Sequence, residues 1–497
     1  MAEGGKGTLQ VSAVSMNLNG DRENSAIPIT TSLPMNGGKG TYSYFNNSCS
    51  QRQCTEDEKR KFIEEIEQKL DMKKLFSLSN TIRLADLGCA TGPNTFMIIQ
   101  DILEAMQRKH QSQLSQSCFN DVQHSDDHQM PEFQVFFNDQ ESNDFNTLFT
   151  SLPQDRQYFA AGVPGSFHHR LFPESSIHFV HTSLCLHWIS KSPEVLQNKA
   201  SPTWNKGRIH HTSAPDEVVE AYASQFVEDM ENFLNARAKE LVPEGMMVMI
   251  LVGIPKGTPY SEIPMGMMCN CLSSSLMDMA KEGIIEESKV DSFNLPFYAA
   301  SLEEMEEILE KNGCFKIERM ESTNPAAYLK GGPVDIPAWV TNVRAAMEGM
   351  FAKHFGSEVM EEMFGRLTDK LVDIADLINS RCEVKSQLLA VLKQGGQGTS
   401  QVSAVSVNLN GDRENSAKPV TVSLPMNGRN GIYSYSRNSY HQKLSAGLEK
   451  GKIIEEIEQK LDMKKLSSSS NTIHVADLGC STGPNTFMII HDILEAM

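Results

Sequence analysis

The sequence predicts an α/β protein: a parallel sheet covered by helices, followed by a helical addition. Short apolar segments alternate with segments of helical period as far as Gly253, and beyond it the pattern is almost wholly helical. A second observation sets the organisation of the chain. Residues 8–106 and 399–497 align without a gap, and "IEEIEQKLDMKKL" and "DLGC.TGPNTFMII.DILEAM" recur word for word. The unit occurs only twice and far apart, which excludes a short-period solenoid. The reading is a tandem duplication: a flexible extension over 1–34, one domain over 35–395, and a truncated repeat over 396–497.

The first element, "TIRLADLG" (81–88), is a short buried strand closed by glycine. Residues 94–109 come next as a helix, with Phe96, Ile99, Ile102, Leu103 and Met106 at helical spacing. Residues 110–132 are polar and read as an exposed insertion, with His110, His124 and His128 spaced too irregularly for a metal site. Strands are expected at 133–139, 158–166, 176–184 and 245–253, with a helix around "DFNTLFTSL". Ser213 and an acidic first turn suggest the start of a long helix carrying Val218, Tyr222, Phe226, Met230 and Leu234 on one stripe. Helices then cover most of the remainder, and "FKIERME" (315–321) fits the sheet's edge.

Composition excludes several classes. A net charge of −18 makes a nucleic-acid backbone an unsuitable partner. The ten cysteines form no C-x-x-C pair, the N-terminus lacks a secretory pattern, and no apolar run reaches the roughly 18 residues of a membrane span. A reduced, cytoplasmic setting is expected.

"DLGCATG" places Asp86, Gly88 and Gly92 between strand and helix. Glycines there let a ligand approach the backbone at the carboxyl ends of the strands. The motif is not the G-x-G-x-x-G of dinucleotide sites. Asp139 ends the second strand, where a carboxylate can accept both hydroxyls of a ribose. An ordinary strand-end aspartate is the alternative.

Taken in order, "MNGGKGTYSYFNNSCSQRQ" (35–53), "ADLGCATGPNT" (85–95), "FFNDQESNDFNTLF" (136–149), "GVPGSFHHRLFP" (162–173), "HFVHTSLCLHWIS" (178–190), "WNKGRIH" (204–210) and "DSFNLPFY" (291–298) resemble the plant SABATH methyltransferases. That family methylates small carboxylic acids or ring nitrogens with S-adenosylmethionine. The resemblance implies a Rossmann-like methyltransferase core with a helical cap, and a homodimer. It implies that Tyr44, Ser48, Asp86, Asn94, Asp139, Gln140, Ser166 and Phe167 surround the cofactor, Phe167 offering a face to the adenine.

Methyl transfer from a sulfonium to a carboxylate is a direct displacement. A carboxylic acid with a pKa of about 4 is already an anion at neutral pH, so no general base is needed. Alignment is what the protein must supply, and ordering two reactants can correspond to effective molarities of roughly 10⁵–10⁸ M. In the family a glutamine amide and a tryptophan indole N–H hold the acid, and Gln51 and Trp188 match those positions. Leu184, His187, Met268 and Tyr298 are the further substrate-binding candidates. Leu184 and His187 stand where salicylate-type members commonly carry tyrosine and methionine, and Met268 and Cys269 replace an apolar residue and a tryptophan. The changes imply a larger or more polar acid, of the loganate or farnesoate kind. N-methylation of a purine-like ring is the runner-up, and an inactive cofactor-binding fusion a third reading.

Some relatives bind magnesium, and Asn205, Asp291, Phe293 (through its carbonyl) and Asn294 match those ligands, whose oxygens suit a hard cation. In the repeat, Asp477, Gly479 and Gly483 restate the turn, and Tyr435, Ser439 and Gln442 the N-terminal arm. Nothing after them matches Asp139, Ser166, Phe167 or Trp188. The repeat is expected to bind no cofactor alone, and to be loosely docked, partly disordered, or in competition with residues 35–106 for one place in the sheet, including between chains as a domain swap.

Overall fold

The computed structural model describes residues 30–118 and 130–395, with a few single positions after residue 453. His124, His128, residues 1–29 and the site-like residues of the repeat (Tyr435, Ser439, Gln442, Asp477, Gly479 and Gly483) lie outside the described residues. The chain divides into two units, Met1–Gly398 and Thr399–Met497, and the sheet, the cap and the candidate site all belong to the first.

Eight strands form one sheet: β1 (Thr81–Leu87), β2 (Glu132–Asp139), β3 (Phe159–Pro164), β4 (Ile177–Ser183), β5 (Leu241–Ile254), β6 (Ala300–Ser301), β7 (Phe315–Thr323) and β8 (Gln387–Gln394). Their order is β3-β2-β1-β4-β5-β8-β7, with the short β6 beside β5. β1 to β5 run parallel, whereas β8 is antiparallel to both β5 and β7. The parallel core was expected. β8 was not, because "QLLAVLKQ" is a short apolar run with no alternation, set after a series of helices.

Strand period places the core. Along β1, Ile82 and Leu84 join one apolar cluster while Ala85 and Leu87 join the other. β5 divides in the same way, Met246, Val248 and Ile250 against Met247, Met249 and Leu251. Successive side chains point to opposite faces, so both faces of the sheet are covered.

Thirteen helices are described: α1 (Tyr44–Asn47), α2 (Cys49–Cys54), α3 (Glu56–Lys69), α4 (Met72–Leu78), α5 (Pro93–Cys118), α6 (Phe145–Thr150), α7 (Asp216–Glu240), α8 (Pro264–Lys281), α9 (Glu287–Ser292), α10 (Leu302–Asn312), α11 (Ile336–Phe355), α12 (Met360–Asp373) and α13 (Ala375–Arg381). α3 and α5 cover one face, and α7 and α10 the other. α8, α9 and α11 to α13 build the cap around a third cluster that includes Trp188, Met268, Phe293 and Phe351.

Three local expectations are corrected. α5 continues through residues 110–118, and His110 is buried with its ring 5.7 Å from that of Phe76. His110 falls one turn beyond Met106 on the same buried stripe, so it is a core residue and not part of an exposed insertion. Ser213 is not a helix cap: it has a positive φ of 57°, and α7 starts after Pro215. The N-terminal arm is held ahead of residue 35, since Ser192 N–H donates to Thr30 O (2.8 Å) and Gln140 Nε2 donates to Ser32 Oγ (3.0 Å). No described helix is long and apolar enough to cross a membrane.

Candidate active site

The strand order reverses at β1, whose neighbours are β2 and β4, and the turn after β1 opens at that switch point. Gly88 sits there with φ of +80°, and a Cβ on it would lie 2.6 Å from Cys185 Sγ. Only glycine fits. The N–H groups of Gly88 and Cys89 both donate to the carbonyl of Asn138 (2.9 and 3.0 Å).

Two carboxylates flank the turn. Asp139 accepts from Ala90 N–H (2.8 Å, Oδ2) and from Gln140 N–H (2.7 Å, Oδ1). Burial pushes its carboxyl up to about 6, against the lowering effect of those two donors. Asp86 is buried and bonded to the Thr95 hydroxyl and to His181 Nδ1, the latter at 2.7 Å. Asp86 and His181 are register partners across the β1–β4 pair.

A cavity of about 360 Å³ opens on this turn and brings Tyr44, Gln51, Asp86, Asn94 and Leu184 together. Asn94 donates to Ser48 O (2.7 Å), which ties the buried Ser48 to the start of α5. Burial and the nearby Asp139 push the Tyr44 hydroxyl well up, so it stays a phenol. Phe167 lies beside the turn: its ring comes within 3.9 Å of where a Cβ on Gly88 would stand. Ser166 is exposed and accepts from His168 N–H. Of the expected cofactor residues, Tyr44, Asp86 and Asn94 line the cavity, Ser48 and Asp139 are bonded to its edge and Phe167 lies beside Gly88, whereas the Gln140 amide is engaged by Ser32 and Ser166 is bonded only to its own loop.

The acceptor side is built by the cap. Trp188 is 8% exposed, with Phe297 edge-on at 5.4 Å. Met268 and Cys269 belong to the same apolar cluster. His187 is buried between Trp188 and Phe297, its Nδ1 has no partner, and burial lowers its pKa to about 3. It is a neutral imidazole. Gln51 forms a reciprocal amide pair with Asn342 on α11 (2.9 and 2.8 Å), and Asn342 also donates to Asn47 O. One Gln51 N–H stays outside that pair.

Tyr298 is not brought to this side. Its hydroxyl donates to Glu304 (2.7 Å) and its ring packs on Phe226 (5.2 Å) among the residues beneath α7. The neighbouring Phe297 faces Trp188 instead, because successive side chains in extended chain point opposite ways. Leu184 lines the cavity with a positive φ of 52°, a conformation costing on the order of 1–3 kcal/mol.

Of the four magnesium candidates, Asn205 and Asn294 are in direct contact, and Asp291 is bonded to the loop that carries Asn205. Asn205 Nδ2 donates to Asn294 Oδ1 (3.1 Å), Asp291 accepts from Gly207 N–H (2.8 Å), and Phe293 lies between Asp291 and Asn294 in the chain. Asn205 Oδ1 is buried without a partner, which leaves an oxygen available for a hard cation. Among the described residues no three His, Cys, Asp or Glu side chains are grouped to hold a metal ion, so any such site is built mainly of amide and carbonyl oxygens.

Sequence reading missed His181, Thr95, Asn138 and Asn342. The register of β1 on β4 alone exposes His181 as the partner of Asp86.

A doubly wound sheet with a glycine turn at its switch point and an acidic residue ending β2 defines a nucleotide-type α/β enzyme core. Residues 30–395, and again 421–497, match the family described as SAM dependent carboxyl methyltransferase, and the chain belongs to that family. S-adenosylmethionine is its methyl donor. The chain is 42% identical over 366 residues to loganic acid O-methyltransferase of Catharanthus roseus, covering 73% of this chain and 94% of that protein. Two Arabidopsis thaliana relatives differ in chemistry: a farnesoic acid carboxyl-O-methyltransferase (37%, covering 74% of this chain and 100% of the relative) and paraxanthine methyltransferase 2 (38%, covering 66% and 89%). A solved loganic acid methyltransferase with SAH superimposes with a TM-score of 0.68 at 42% identity, covering 73% of this chain and 99% of that one.

Proposed function

We propose that this methyltransferase esterifies a plant acid larger or more polar than salicylate, of the loganate or farnesoate kind. The observation that carries the reading is the acceptor wall: Trp188, with no hydrogen bond to its indole N–H among the described residues, packed on Phe297 beside a neutral His187. A cationic clamp would quench the acid's nucleophilicity, whereas uncharged donors orient it at smaller cost.

When bound, S-adenosylmethionine supplies an electrophilic methyl group on a positively charged sulfur. Asp139 would accept the ribose hydroxyls, Phe167 would cover the adenine, and Asp86 and Asn94, with Tyr44, Ser48, Gln140 and Ser166, would hold the rest of the cofactor. Trp188 and the free N–H of Gln51 aim the carboxylate, which needs no base because it is already ionised. Asn205, Asp291, Asn294 and the Phe293 carbonyl are the oxygen set for magnesium, which would brace the cap's connection to β4.

Incubating the chain with labelled cofactor and a plant acid extract tests the reading by mass spectrometry of the product. A methyl ester supports it. A methylated purine ring moves the assignment to N-methylation, and cofactor binding without turnover to an inactive fusion. The family resemblance also supports a homodimer, which light scattering checks.

A further inference from the structure

The buried ion pair of α7 has been given no part in binding either substrate, yet it is bonded to the loop that carries Phe167. Arg237 and Glu240 are both 0% exposed, with Arg237 Nε donating to Glu240 Oε2 at 2.7 Å. The two remaining guanidinium nitrogens each donate to a backbone carbonyl, Nη1 to Phe167 O (2.8 Å) and Nη2 to His169 O (2.9 Å). Glu240 Oε1 accepts the backbone N–H groups of Leu171 (2.5 Å) and Phe172 (3.1 Å). Four backbone groups of one irregular loop are thus satisfied by a single pair of charges.

The same charges reach Phe167 through its ring as well. The Arg237 guanidinium lies over Phe233 at 5.2 Å, and Phe233 meets Phe167 edge-to-face at 6.3 Å. Burying two charges is expensive, and replacing such a pair by apolar residues often leaves stability unchanged or higher. Stability therefore does not explain the pair, and its bonds point to one loop. We infer that Arg237 and Glu240 are positioning residues that preform the 166–172 loop, so that Phe167 already presents its face when the adenosyl group arrives. The inference rests on the proposed role of Phe167.

The test uses the full chain and three variants: Arg237→Met with Glu240→Leu, Arg237→Lys, and Phe167→Ala. Affinity for S-adenosylhomocysteine is read by calorimetry, alongside thermal midpoint and acceptor KM at saturating cofactor. The double variant is expected to keep a midpoint near the parent's and to bind S-adenosylhomocysteine about tenfold more weakly, with acceptor KM unmoved. Arg237→Lys keeps the charge but loses the fork, and is expected to weaken binding similarly if the double variant fails to fold. Weaker binding by Phe167→Ala with parental affinity in the folded Arg237 variant overturns the inference. Parental affinity in Phe167→Ala overturns instead the role of Phe167, and the inference falls with it.

Discussion

Residues 86–95 and 477–486 read "DLGCATGPNT" and "DLGCSTGPNT", and the first stretch is held in place by residues outside the segment that the two copies share. Gly88 and Cys89 are bonded to Asn138, Ala90 to Asp139, Asp86 to His181, and Gly88 is packed under Cys185. All four partners lie after residue 106, where the repeated segment ends. The geometry of the first glycine turn is therefore imposed by residues on and just after β2 and β4, and not by the turn's own sequence.

Three changes sharpen that contrast. The largest effect belongs to Trp188, another residue with no counterpart after the second turn. Trp188→Ala is expected to lower kcat/KM for the acid by about 10²-fold while S-adenosylhomocysteine affinity stays within about threefold. Equal loss of both would break the division between donor and acceptor sides.

Asp139 gives a pH-dependent effect of the next size. Burial raises its folded pKa to about 6. In the cofactor-free fold, the penalty for ionising it is absent below the ordinary carboxylate range and complete above about pH 6. Cofactor binding has the opposite sign, since the ribose hydroxyls need the ionised form. Affinity should be full above pH 7 and about tenfold lower at pH 5, measured by calorimetry. Asp139→Asn should flatten that profile at low affinity.

The smallest expected effect compares the copies directly. Thr95 donates to Asp86, a hydrogen bond to a carboxylate worth about 1.5 kcal/mol or more. Thr95→Val should weaken S-adenosylhomocysteine binding by about tenfold or less, and Thr486→Val should not change it. An effect of Thr486→Val would show that the second turn takes part.

Legibility in the sequence followed the range of the interactions. β1, the turn and the start of α5 were readable because a strand, a glycine and a helical stripe are local signals. Asp139 and Trp188 were placed by ordered blocks of resemblance. His181 was hidden, as a histidine within an apolar strand gives no sign of the strand beside it. That Phe297 and not Tyr298 packs on Trp188 was not legible, because the direction each side chain takes there depends on the bridge between Trp188 and Phe297. β8 was invisible for a related reason: it completes the sheet between β5 and β7, and only those neighbours make its apolar run a strand.

The most direct test of a single cofactor site, formed by the first copy, is calorimetry of S-adenosylhomocysteine on the full chain and two variants. The account predicts one equivalent per chain, binding lost in Asp139→Ala, and parental binding in Asp477→Ala. Two equivalents per chain, or binding that survives Asp139→Ala and disappears in Asp477→Ala, would contradict it.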